Sequence, residues 1–405
     1  MAATLAIQGL SAERLCAFVG PELTLPEARK ILSGVHRRDH PLLPAPAAPV
    51  LDGVRNVALA AVARRCHVGR LQVSAKQASA VDPFAKWVFR LADGLSVETV
   101  RIPLEKEGRF CVCVSSQAGC AQGCTYCATG KLGLLRSLQT WEIVEQVRTV
   151  RLDLAATGTP GRIHGVVFQG MGEPMANLDA VLDAISVLSD PAACQISASN
   201  VTVSTVGSFP NGIRRLAKEA PKVRLALSVG AARPEVRARI MPVERVHPLL
   251  GDVMAASVEH AIATGMQPLW AITPLLGVND DAADAEALAE LAHDFTRRTG
   301  GIRPRISIVP YNAIAESGDP YQRVPLERES AFRNVMRDAG VFTHKRYSGG
   351  GDVGAACGQL AGKQGAQAGT QDAPPAAAPD SNWAGQWAAG VREERRPTLD
   401  AAYTA

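Results

Sequence analysis

The sequence contains no apolar run of the ~20 residues needed to cross a bilayer, which excludes a membrane-spanning helix within these 405 residues. Its opening stretch, MAATLAIQGLSAERL, lacks a basic segment leading into a continuous apolar one, so no secretion signal is read there. Disulfide architecture is also missing: the nine cysteines are odd in number and unevenly spread, as expected of reduced thiols in a cytoplasmic protein. No internal repeat is present. Net charge is only +4, so any signal for a charged partner has to come from how the charge is distributed.

What is present is uneven. Residues 1–110 carry 15 Lys/Arg against 10 Asp/Glu, and Arg37, Arg38, Arg64, Arg65 and Arg70 are positioned either to meet phosphate or to form a solvated basic face. Residues 1–80 read as short helices (12–19, 25–35, 54–63) broken by the Pro-rich stretch 40–49, giving a small accessory domain. A strand-rich linker follows over 81–110, with a turn at Asp93-Gly94. From 111 to 347, strand candidates at 110–115, 165–169, 201–205, 223–229, 268–273 and 305–310 alternate with amphipathic segments at 140–154, 178–188, 248–263 and 280–298. Strands separated by helices predict an α/β fold with a parallel sheet, read here as a partial (β/α)6 barrel, with an open doubly wound sheet as the alternative. Barrel chemistry belongs at the C-terminal strand ends. Residues 348–362 form a Gly-rich segment expected to be mobile. The Ala/Gly/Gln/Pro-rich tail 363–405 is expected to be disordered.

Five of the nine cysteines fall between Cys111 and Cys127. Cys120-Ala-Gln-Gly-Cys124-Thr-Tyr-Cys127 follows the first barrel strand, and three thiolates on one short loop suit three corners of a [4Fe–4S] cluster, leaving the fourth iron open. An open iron is able to chelate the amino and carboxylate groups of S-adenosylmethionine (SAM), with Tyr126 shielding the cluster. Structural zinc and simple buried thiols remain alternatives, although zinc normally takes four Cys/His ligands and no second close pair occurs. Gly170-Met-Gly-Glu-Pro174 after the second strand offers close backbone approach and a carboxylate for the SAM ammonium group. Cys357 sits alone in a Gly-rich stretch, which favours a reactive thiol over a core one.

On these residues the chain resembles the RlmN/Cfr family of radical SAM RNA adenine methyltransferases from about Asp82 to Leu360. The resemblance is carried by Glu98-Thr-Val-Arg-Ile-Pro103, Cys113-Val-Ser-Ser-Gln-Ala-Gly-Cys120, Gly170-Met-Gly-Glu-Pro174, Ser204-Thr-Val-Gly207, Val309-Pro-Tyr-Asn312 and Ala355-Ala-Cys357-Gly-Gln-Leu360. It implies a methyl group carried on Cys357, resolution of the RNA link by Cys113, and proton acceptance by Glu98. It likewise implies cluster ligation by Cys120, Cys124 and Cys127, and SAM contacts from Gly172, Glu173, Ser204, Ser228 and Asn312. The implied product is adenine methylated at carbon 2 of 23S ribosomal RNA, and also of transfer RNA, with an electron donor such as flavodoxin or ferredoxin and a monomeric, cytoplasmic enzyme. Carbon 8, another substrate, or a non-catalytic Fe–S RNA-binding protein are the alternatives. Two departures stand out: Ser228-Val-Gly230-Ala231 has Gly230 where the family usually has His, and the N-terminal region matches only loosely around Leu25–His36.

Overall fold

A computed structural model describes residues 4–43, 47–314 and 319–361; the tail expected to be disordered lies outside the described residues. The chain opens with α1 (Ala12–Val19), α2 (Leu25–Arg38) and α3 (Asn56–Arg65), closed by a two-residue parallel pair, β1 (Leu5–Ala6) with β2 (Cys66–His67). The Thr24/Glu27 capping box starts α2, and Glu27 also receives the Arg55 guanidinium at 2.8 Å. Ile7, Leu15, Ile31, Leu32, Leu59 and Val62 form the core of this unit.

The main sheet begins with an antiparallel meander, β3 (Gln72–Ala78), β4 (Ala85–Arg90) and β5 (Ser96–Pro103), which continues into β6 (Arg109–Cys113). A separate hairpin, β7 (Gln117–Cys120) and β8 (Gly133–Ser137), frames the cysteine loop and the single helical turn α4 (Ala128–Lys131). Then follow α5 (Thr140–Ala156), β9 (Arg162–Phe168), α6 (Leu178–Ser189), β10 (Val201–Thr205), α7 (Pro210–Glu219) and β11 (Arg224–Ser228). Next are α8 (Pro234–Ile240), α9 (Met254–Thr264), β12 (Leu269–Ile272), α10 (Ala282–Arg298), β13 (Arg305–Ile308), α11 (Leu326–Asp338) and β14 (Thr343–Lys345). The strand order is β3-β4-β5-β6-β9-β10-β11-β12-β13-β14, parallel from β6 onward.

Successive helices pack on one another, α5 on α6, α6 on α7, α7 on α9, α9 on α10 and α10 on α11, so they form one layer. A doubly wound sheet would divide them between two faces. Among the described residues no ladder joins β14 back to β3, and the barrel is therefore incomplete. Two apolar clusters lie between sheet and helices. Val166, Phe168 and Val203 pack with Val147 and Ile185 at one end, while Trp270, Ile306 and Ile308 pack with Phe295 and Met336 at the other.

All six expected barrel strands are present, with a seventh, β14, which is only three residues long and partly polar. β3 falls inside the range read as helical: its exposed, weakly apolar QVSAKQA lacks a strand signature, and it forms the sheet edge where Lys76 discourages further pairing. The amphipathic segment at 248–263 is not one helix either, because a π-type turn at Leu249–Val253, kinked at Gly251, precedes α9.

Candidate active site

The elements that carry the predicted residues end on one rim of the barrel. β6 delivers Cys113, paired across the ladder with Val100 of β5, the strand that also carries Glu98. Beyond β6 the chain runs through Ser115, whose hydroxyl donates to the Glu98 carbonyl at 2.6 Å and accepts the Met171 N–H at 3.0 Å. The Gln146 amide of α5 closes the buried network, accepting from Ser115 N–H at 2.8 Å and donating to Ser115 O at 3.0 Å. Strand β5, the end of β6 and the Gly170–Pro174 loop are thus locked in one register.

The cysteine loop leaves β7. Cys124 is buried, while Cys120 and Cys127 are half-buried, and burial pushes the Cys120 thiol up to about 12. Cys124 and Cys127 are also raised by burial, and each thiolate opposes the ionisation of the next. A dry, mutually repelling set of thiolates needs added positive charge to ionise together, and the irons of a cluster provide it. Among the described residues no three His, Cys, Asp or Glu side chains are placed as ligands of one metal ion. Zinc normally takes four Cys/His ligands, whereas this loop offers three thiols, the number that leaves one iron of a cluster open, so the donor set fits a cluster better than zinc.

Glu173 is buried; its two carboxylate oxygens accept the N–H groups of Met175 at 3.0 Å and Val206 at 3.1 Å, and burial raises its pKa. Gly172 adopts φ +98°, and a Cβ there would meet the Gln117 Cβ at 2.5 Å, so only glycine fits. Ser204 is buried near the end of β10, Ser228 ends β11 half-buried, and Asn312 follows β13. The Asn312 amide donates to Ser348 Oγ at 2.8 Å and to the Cys357 carbonyl at 3.3 Å.

The Cys357 segment is docked on this rim. Ala128 N–H donates to Gly358 O at 2.8 Å and Thr129 Oγ1 to Leu360 O at 2.5 Å, tying it to the cysteine loop. Gly350 N–H donates to Asp82 at 2.9 Å, and Ala361 N–H to Glu98 Oε2 at 3.2 Å. Cys113, Cys127 and Cys357 line one cavity with Gly170, Arg346 and Tyr347. Burial raises the Cys113 thiol, the Cys357 and Cys111 charges add to that, and Arg346 opposes it.

Three contributors escaped the sequence reading. Buried Lys86 places Nζ 3.5 Å from Glu98 Oε1 and donates to Gly354 O at 3.2 Å. Asp82 holds Tyr347 OH at 3.1 Å as well as Gly350. Arg237, fully buried, donates to Val229 O at 2.8 Å and Val206 O at 2.7 Å, fastening the ends of β10 and β11. A lysine in a strand and an arginine in a short helix read as solvent-facing; only their tertiary partners reveal them.

Of the five N-terminal arginines read as meeting phosphate or forming a solvated face, Arg64 pairs with Glu22 at 3.0 Å and Arg70 with Asp39 at 2.5 Å. Arg65 donates to Phe18 O at 2.8 Å and Arg37 to Ala193 O at 3.2 Å. Among the described residues no helix is long and apolar enough to cross a membrane.

Residues 114–292 match the radical SAM superfamily, whose members use a [4Fe–4S] cluster and SAM. The chain is 50% identical over 364 residues to the “Probable RNA methyltransferase sce3898” of Sorangium cellulosum, covering 86% of this chain and 90% of that one. It is 42% identical over 290 residues to the “Dual-specificity RNA methyltransferase RlmN” of Syntrophobacter fumaroxidans, covering 72% and 80%. The crystal structure of a radical SAM methyltransferase from Sphaerobacter thermophilus superposes with TM-score 0.77 at 30% identity, covering 89% of this chain and all of that one. A cysteine loop, a glycine-carboxylate turn and a docked thiol segment on one barrel rim, together with these likenesses, show that the chain belongs to the RlmN-like family of radical SAM RNA methyltransferases.

Proposed function

We propose that this chain methylates carbon 2 of adenine in RNA, 23S ribosomal RNA first and transfer RNA second, with Cys357 as the methyl carrier. The observation that carries the reading is the cavity that Cys113, Cys127 and Cys357 line together, with Leu360 in its wall and the next residue, Ala361, donating its N–H to Glu98. Cys120, Cys124 and Cys127 would hold the cluster, and Gly172, Glu173, Ser204, Ser228 and Asn312 would border SAM. Bound there, these groups supply a methyl donor and the radical that activates a carried methyl group.

The chain's own residues do the rest. The Cys357 sulfur takes the methyl group and brings its carbon to the base. Glu98 accepts the proton that the base loses. Cys113 then attacks the Cys357 sulfur: the sulfur–carbon bond breaks, its electron pair passes to the methylene carbon, and the proton released by the Cys113 thiol completes the methyl group, leaving a Cys113–Cys357 disulfide as the methylated base departs. Residues 1–80 act as the accessory RNA-binding unit, residues 81–110 connect it to the 111–347 barrel, and residues 348–362 carry the thiol in and out. A flavodoxin or ferredoxin reduces the cluster, and the enzyme works as a cytoplasmic monomer.

Nucleoside analysis of RNA from cells with and without the gene tests the reading. Loss of 2-methyladenosine is expected, and no change in either 2-methyladenosine or 8-methyladenosine would remove it. One observation favours a second reading, methylation at carbon 8 or of another substrate: Gly230 occupies the family's His position, and Met241 Sδ fills the space its Cβ would take. Activity on protein-free ribosomal RNA fragments with a carbon-2 product excludes that alternative.

A further inference from the structure

A second cavity opens at the opposite end of the barrel, between α2, α5, the start of β9 and the loop before β10. Arg37, Arg151, Arg162, His164, Gln195 and Asn200 line it, and no Asp or Glu does. Neighbouring parallel strands add to the cluster: Arg109 of β6 pairs in register with Arg162 of β9, and Arg224 of β11 lies one strand beyond β10. Arg162 and Arg224 are exposed, and neither has a carboxylate partner among the described residues. Their charges, with that of Arg109, reach His164, whose pKa lies below its ordinary value first through burial and then through these three guanidiniums. Asp190 acts on Arg37 from beside the cavity, and its carboxylate already accepts the Ala192 N–H at 2.6 Å. Arg37 and Arg151 are fixed in place by donating to the carbonyls of Ala193 at 3.2 Å and Cys194 at 2.5 Å.

We infer that this cavity is a phosphate site that takes the backbone of the RNA substrate, away from the modified nucleotide. Guanidiniums that face no carboxylate in the cavity wall, two of them held by backbone carbonyls, match phosphodiester oxygens. The span of β9 puts the cavity about 20 Å from the thiol rim, so only a polymer reaches both. The inference rests on the reading of RNA as substrate.

The test compares wild type with Arg162→Ala, Arg162→Ala/Arg224→Ala and, as a control for net charge on a distant helix, Arg337→Ala, all as cluster-loaded full chains. Binding of poly(U), which carries no adenine, is measured against salt, alongside binding of inorganic phosphate and reductive SAM cleavage. The double variant is expected to bind poly(U) about tenfold more weakly, with a log–log salt slope shallower by about 1.4, while SAM cleavage and iron content stay at wild-type values. The single variant should fall about halfway. Wild-type affinity and slope in the double variant would overturn the inference, as would a loss no larger than that of Arg337→Ala. Inorganic phosphate bound more tightly than poly(U) at equal phosphate would make this a free-phosphate site and also overturn it. Unmodified adenine in cellular RNA, with the poly(U) result intact, would instead count against the methylation reading alone.

Discussion

Ala128 donates its backbone N–H to the carbonyl of Gly358 at 2.8 Å, so the residue after the last cysteine of the loop is bonded to the residue after the lone thiol. The cysteine loop and the Cys357 segment therefore share a strut. Substituting Cys120, Cys124 or Cys127 with Ala is expected to abolish iron binding and SAM cleavage together. Iron analysis and assay of 5′-deoxyadenosine check this, and any variant that keeps both would remove its thiol from the ligand set.

The two lone thiols should fail in opposite ways. Cys357→Ala is expected to cleave SAM but to methylate nothing and to form no adduct. Cys113→Ala should stall after carbon transfer and accumulate as a protein–RNA conjugate that survives denaturation and disappears on nuclease treatment. The double variant should resemble Cys357→Ala. A denaturing gel with labelled RNA reads all three, and a conjugate in the Cys357→Ala lane would reverse the roles.

Lys86 joins Glu98 to the Cys357 segment through Gly354. Lys86→Met removes a cation from beside a buried carboxylate and should destabilise the fold by about 3 kcal/mol. Methylated RNA should fall by about tenfold or more while SAM cleavage persists, because the thiol segment loses one of its anchors. Urea denaturation and product analysis measure the two effects, and a matched drop in SAM cleavage would argue for general unfolding.

His260 on α9 is buried, and neither ring nitrogen has a partner among the described residues. Desolvation lowers its pKa to about 4. The folded chain thus binds fewer protons here than the unfolded chain: the contribution to stability is complete above about pH 6.5 and declines as pH falls toward 4. His260→Leu should reduce the stability lost between pH 7 and pH 5 by about 2 kcal/mol. Denaturation midpoints at the two pH values decide it, and an unchanged difference would show that His260 does not titrate in this range.

Gly230 has φ +71°, and its missing Cβ would lie 2.3 Å from Met241 Sδ. Gly230→Ala is expected to destabilise the protein by about 2–3 kcal/mol, part from the left-handed backbone and part from displacing Met241. Adding Met241→Ala should relieve the second part only. If the pair is simply additive, Met241 is not what excludes a side chain there.

The barrel was legible because its strands are short apolar runs between amphipathic helices, as at Val201–Thr205, where expected and observed limits coincide. The candidate site was legible because cysteine spacing and glycine-carboxylate turns are local. β3 and β14 were not: the first is an exposed edge, the second three residues long, and both exist through their neighbours. Lys86, Asp82 and Arg237 were hidden for the same reason, since each gains its meaning from partners far along the chain. Gly230 was seen as a departure, but its fit against Met241 belongs to packing alone.

The meander β3–β5 continues the barrel sheet through the β5–β6 ladder, which bears on how this protein can be divided. A barrel excised at residue 111 would expose the open edge of its first strand and part from Asp82, Lys86 and Glu98. Its cysteine loop would remain whole, yet the thiol segment would have lost its berth. Modular transplantation of this catalyst should therefore cut before residue 72 rather than at the border where the βα repeats begin.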